Sequence, residues 1–131
     1  MSRDNVIANS TLVNLLPTPT AARTATGLGS AIDMLDYEGN VVVILDSAEA
    51  TAGTNPTLDV KLQHCATSDG SYTDITGAAF TQVTSTASRQ KIVVDIDKVQ
   101  RYVKASHTIG GTATPSFIHS LNMLAMKKYI G

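Results

Sequence analysis

The stretch from Leu58 to Ile75, LDVKLQHCATSDGSYTDI, constrains the fold more than any other part of the chain. Leu58, Val60 and Leu62 alternate with Asp59, Lys61 and Gln63, the period-two pattern of a strand that buries one face and wets the other. Ser68-Asp69-Gly70-Ser71 follows, with side chains that favour turns and a glycine free to take positive φ, so the chain can reverse into Tyr72-Thr73-Asp74-Ile75. A hairpin of this kind needs further strands beside it to be stable.

Those strands are legible on both sides. Val41-Val42-Val43-Ile44-Leu45 is an unbroken apolar run, which predicts a core strand covered on both faces. Ala31 to Leu35 reads as a short strand, with one helical turn as the alternative, and Ala78 to Val83 as another strand anchored by Phe80. From Lys91 to Ile96 the alternation returns with Ile92, Val94 and Ile96 inward. From Arg101 to Ile109 it places Val103, Ala105, His107 and Ile109 on one side. Phe117 to Met126 reads as the last strand, although Leu121, Leu124 and Ala125 also sit at helical spacing and leave a helix as the alternative. Asp46 to Thr57 and Gly110 to Pro115 read as loops, because both are rich in small, polar, Gly and Pro residues. Six to eight short strands with turn signals between them predict an all-β antiparallel β-sandwich or jelly roll.

At 131 residues the chain suits one core. Residues 1 to 22 read as an extended N-terminal arm, because Val6, Ile7, Leu12, Val13, Leu15 and Leu16 show no sustained period and lead into Pro17-Thr18-Pro19. The arm is either a solvated terminus or a segment whose apolar residues dock on a neighbouring subunit. Residues 23 to 131 form the expected sandwich domain.

Charged residues make up 16% of the chain, against about 25% in an ordinary soluble domain, so much of the surface is Thr, Ser, Ala, Asn and Gly. A formal net charge of -1 argues against nucleic acid as a partner, since binding phosphates calls for a basic surface. Cys65 is the one cysteine, so no internal disulfide is available. No apolar run approaches the roughly 18 residues of a membrane span, and no secretory leader is expected, which predicts a protein without a membrane partner, made in a cytoplasm.

Catalytic chemistry is sparse. His64, His107 and His119 fall in separate strands, and the neighbours His64 and Cys65 point to opposite faces, so no metal centre is expected. Cys65 with His107 or His119 is the one conceivable nucleophile and base, and no local signature surrounds it. Gly27-Leu28-Gly29 lacks the lysine and the strand-to-helix setting of a phosphate loop. The expectation is no enzyme and no cofactor.

Tyr37-Glu38-Gly39-Asn40 leading into Val41 to Leu45, the Ser68 to Ile75 hairpin, Arg101-Tyr102-Val103-Lys104 and Gly110-Gly111-Thr112 together resemble small structural proteins of tailed bacteriophages, over about Ile32 to Lys128. The resemblance implies a capsid decoration or cement protein: a jelly-roll-like domain on the outer surface of an icosahedral head, a homodimer or homotrimer clamping neighbouring capsomers of the major capsid protein. It implies a virion location after synthesis in a bacterial host. The family has no motif for chemistry, so no functional residue carries over. The expected contacts with the shell or a sister subunit are Val6, Ile7, Leu12, Val13, Leu15 and Leu16 in the arm, Glu49 and Asn55 in the loop before the hairpin, and Lys127 and Lys128 near the end. The alternatives are a tail or head-completion protein and a host-adhesion module, a ligand-binding β-sandwich.

Overall fold

The computed structural model describes residues 10–16 and 22–127. Nine strands follow one another: β1 (Ser10–Asn14), β2 (Gly27–Leu28), β3 (Ile32–Asp33), β4 (Tyr37–Ser47), β5 (Ala52–Cys65), β6 (Thr73–Ala79), β7 (Ser88–Asp95), β8 (Tyr102–Ser116) and β9 (His119–Lys127). Two short 3₁₀ turns, Met34–Asp36 and Ile96–Lys98, are each capped by an aspartate, Asp33 or Asp95, whose carboxylate accepts a backbone N–H two residues on.

The strands form two antiparallel sheets. A front sheet has the order β1-β9-β4-β7; a back sheet has the order β2-β8-β5-β6, with β3 also paired to β8. Underlying both is one nested ribbon, in which β5 pairs with β6, β4 with β7, β2 and β3 with β8, and β1 with β9. Folding that ribbon over itself adds the ladders β4·β9 and β5·β8 and produces a jelly roll. The Leu58 to Ile75 hairpin is the closed end of the ribbon.

The core lies between the sheets and follows the alternation. Val41, Val43 and Leu45 of β4, Leu121, Met123 and Ala125 of β9, Leu58, Val60 and Leu62 of β5 and Val103 and Ala105 of β8 are all buried, with Phe80 and Phe117 among them. The segment after Phe117 is a strand, not a helix, because its inward set 119, 121, 123, 125 is spaced by two.

Several expectations need correction. The arm expected over residues 1 to 22 is not an arm where it is described. β1 pairs with β9 from Ser10↔Met126 to Asn14↔Asn122, and Leu15 N and Leu16 N both donate to Leu121 O, which holds two leucines over the core. The loop expected from Asp46 to Thr57 shrinks to residues 48–51. β4 continues to Ser47 and β5 begins at Ala52, and the expected turn at Gly110 to Pro115 belongs to β8. Bulges keep these irregular ends in the ladder, with left-handed backbone at Asn55, Ala113 and Thr114 as well as at Gly53 and Gly111. Gly111 is required there: a Cβ would lie 2.8 Å from Asn55 O. The strand expected over Ala31 to Leu35 is split into β3 and a 3₁₀ turn. Finally, β4 is not covered on both faces, since Val42 and Ile44 point away from the core and are only half-buried.

The placement of Leu15 predicts that Leu15→Ala lowers unfolding free energy by about 2–4 kcal/mol, as for other fully buried leucines, measured by denaturant titration. An unchanged midpoint would detach this segment from the core.

Candidate docking face

The outer face of the front sheet carries an apolar row that crosses all four strands. Leu12 of β1 is opposite Leu124 of β9, Leu124 is opposite Val42 of β4, and Val42 is opposite Val93 of β7. Leu12 is 66% exposed, Val93 58% and Leu124 41%, so water meets most of this row. Ile44 extends it on one side and Met126 on the other, both half-buried. Solvated outer sheet faces ordinarily alternate to polar residues. A contiguous apolar patch on one marks a contact surface.

Charges flank the row without entering it. Beyond Val93 on β7, Lys91 lies one step to one side and Asp95 one step to the other. Ile44, Asn122 and Asn14 share the row of Lys91, while Asn40 is opposite Asp95 and Ser10 is opposite Met126. A second step past Lys91 brings Arg89, whose guanidinium pairs with the Asp46 carboxylate at 3.4 Å.

The back sheet is its opposite in character. Its outer face is a polar network in which Lys61 Nζ and Gln63 Nε2 both donate to the Asp74 carboxylate, at 2.9 and 2.7 Å, and Gln82 donates to Asp59. Those donors hold the Asp74 carboxyl below the usual carboxylate range, with the Gln63 bond the larger cause. Lys104 lies 4.6 Å over the Tyr72 ring and Arg101 lies 5.1 Å over Tyr102. Arg101 also makes a forked ion pair with Asp33, which lowers the Asp33 pKa.

Between the sheets, one polar cluster interrupts the core. His107 of β8 and His119 of β9 face each other with ring centroids 5.4 Å apart. His119 is 1% exposed, and among the described residues His107 Nδ1 and both His119 ring nitrogens have no hydrogen-bond partner of ordinary geometry. Arg23, pinned by a two-way backbone pairing with Phe117, donates from its guanidinium to the His119 carbonyl. Burial first, then the Arg23 charge and His107, push the His119 pKa down to about 4, weakly opposed by the Phe117 backbone; burial and Arg23 also lower that of His107. The cluster is a pair of neutral imidazoles beside a cation. Among the described residues, no three His, Cys, Asp or Glu side chains converge as metal ligands.

The expected contact residues land in different places. Leu12 is in the exposed row, and Val13 beside it turns inward onto the core. Leu15 and Leu16, at 0% and 2% exposure, are core residues and not surface contacts. Glu49 is exposed in the short β4–β5 loop. Asn55 is exposed at the irregular end of β5 and, with Pro56, Thr57, Thr84 and Ser85, lines a shallow depression of about 370 Å³. Lys127 is exposed at the end of β9, opposite Tyr37. Val6, Ile7 and Lys128 lie outside the described residues. Cys65 is buried with Sγ 3.8 Å from Thr67 Oγ1, and His64 Nδ1 accepts the Gln100 N–H, so His64 and Cys65 each have a local partner. Val42, Val93 and Leu124 were missed as contacts. The available signal was the unbroken Val41 to Leu45 run, which asks for cover on both faces.

Fold and face together define an all-β jelly-roll sandwich with one apolar and one polar outer surface. No protein-family model matches the chain, and no curated protein does. Among solved structures it is similar to the CBM22-1 xylan-binding domain of Xyn10C from Paenibacillus barcinonensis, at 12% identity and a TM-score of 0.44, across 89% of this chain and 92% of that one. The likeness carries no argument about ligands.

The histidine pair makes stability depend on pH with a definite sign. A group whose folded pKa is depressed stabilises the fold fully above its ordinary value of 6.5, and that contribution is lost as pH falls toward about 4. The unfolding free energy should therefore drop by roughly 3 kcal/mol between pH 7 and pH 4 through His119 alone, at 1.36 kcal/mol per pKa unit. Urea titrations across that range should show a flatter dependence in His119→Leu. An equal slope in both proteins would remove the assignment.

Proposed function

We propose that this chain is a structural virion protein, a capsid decoration or cement protein that stabilises an icosahedral head by clamping neighbouring capsomers. The observation that carries the reading is the Leu12–Leu124–Val42–Val93 row, an apolar surface spread over a rigid sheet. Such a face suits permanent protein contact. A surface low in charge and the phage-like stretches at Tyr37 to Leu45, Ser68 to Ile75 and Arg101 to Lys104 support the same reading.

The mechanism is multivalent. Internal pressure drives capsomers apart, and a clamp seated on two of them must release one contact before they separate. Linking two weak contacts raises overall avidity about 10²- to 10⁴-fold through effective concentration. No single patch then needs high affinity.

A second reading, a ligand-binding adhesion module, is favoured by the back sheet, where Tyr72 and Tyr102 stand beside Lys104, Gln63 and Asp74 on one polar face. Tyrosines among hydrogen-bonding side chains are suited to hydroxyl-rich ligands such as glycans. The scarcity of aromatics, at 5% of the chain, weighs against it.

The deciding assay is co-sedimentation with empty tailed-phage heads assembled from major capsid protein. Saturable binding at hundreds of copies per head is expected, with Leu124→Glu lowering occupancy at least tenfold. A chain that stays in the supernatant while recognising sugars on a glycan array would replace the first reading with the second.

A further inference from the structure

We propose that the occupant of the front-sheet face is a second copy of this chain, packed face to face about a two-fold axis that runs along the apolar row. The inference rests on the reading of this face as the working surface and names what covers it.

The argument is one of self-complementarity. Stacked sheets pack about 10 Å apart with strands aligned within about 30°. An isologous interface must also match itself under a two-fold rotation. An axis along Leu12–Leu124–Val42–Val93 stacks each of these side chains near its own counterpart, and it exchanges the rows on either side. Lys91 then faces Asp95 of the other copy, and Asp95 faces its Lys91, giving two symmetric ion pairs at the rim of an apolar centre. Ile44 meets Asn40 and Glu38, Asn122 meets Met126 and Asn14 meets Ser10, so Glu38, opposite Met126 at the β4 bulge, faces uncharged side chains and no like charges oppose each other in these rows. An axis along the strands instead sets Lys91 over the uncharged Asn14 and gains no ion pair.

Two further observations agree. Among the described residues Lys91 makes no ion pair within its own chain, so its charge is available to a partner. Central strand β4 carries five consecutive apolar residues, Val41 to Leu45, of which one chain covers only the inward three. A second copy supplies the missing layer.

The test is the molar mass of the full-length protein by light scattering and sedimentation equilibrium over a hundredfold concentration range. A dimer is expected for the wild type. Leu124→Glu and Val93→Glu should each weaken it at least 100-fold with thermal midpoints within a few degrees of wild type, because both side chains are already exposed. Lys91→Glu should weaken dimerisation several-fold, as should Asp95→Lys, while the double exchange restores it. Because Asp95 also caps a 3₁₀ turn, thermal midpoints are read alongside. A wild-type monomer throughout, or a dimer indifferent to Leu124→Glu, overturns the inference. If that monomer still binds heads and Leu124→Glu abolishes the binding, the face seats the shell directly and the proposed function stands without the dimer.

Discussion

Everything in this molecule depends on the return of β8 and β9 onto the middle of the chain. The nested pairs from β1·β9 inward to β5·β6 amount only to a long ribbon with two wet faces. The β4·β9 and β5·β8 ladders bend that ribbon until its apolar side meets itself. Hydrogen bonding places the strands, and the alternation of side chains decides which face closes inward. These pairings join residues from 37 positions apart, at Cys65↔Tyr102, to 90 apart, at Tyr37↔Lys127, so folding must meet a large loop-closure cost before the core rewards it, and slow, topology-limited folding follows.

The same return explains why the interior tolerates His107 and His119. Each occupies an inward position in its own strand, where the alternation leaves no choice of face. Their neutral forms, enforced by burial and Arg23, let the sheets close over nitrogen atoms that make no hydrogen bond of ordinary geometry. Buried ring nitrogens left without full hydrogen bonds cost stability.

Much of the fold was legible in the sequence because strands announce themselves by a period of two. The alternations at Leu58 to Leu62, Lys91 to Ile96 and Val103 to Ile109 became core faces as read, and the Asp69-Gly70 turn sits in the closed end of the ribbon. What stayed hidden had physical causes. β1 lacks a clean alternation because Leu15 and Leu16 follow one another, both turned inward by their shared bond to Leu121 O. The ends of β5 and β8 carry the Gly, Asn, Pro and Thr composition of loops, yet bulges and left-handed residues hold them in the ladder. The apolar row was the least legible feature of all. Its members come from positions 12, 42, 93 and 124, and only the pairing register brings them into line.

Register also decides how the molecule bears load. Ser10 lies opposite Met126, so the two ends of the described chain leave the front sheet at the same end of neighbouring antiparallel strands. Tension between those ends would peel β1 from β9 one residue pair after another, and each step would meet the resistance of a single pair. Force applied broadly across the front face has no such seam to open, because it is shared among the β1·β9, β9·β4 and β4·β7 ladders at once. As a mechanical part this jelly roll is weak when pulled by its ends and strong when pressed or gripped through its face.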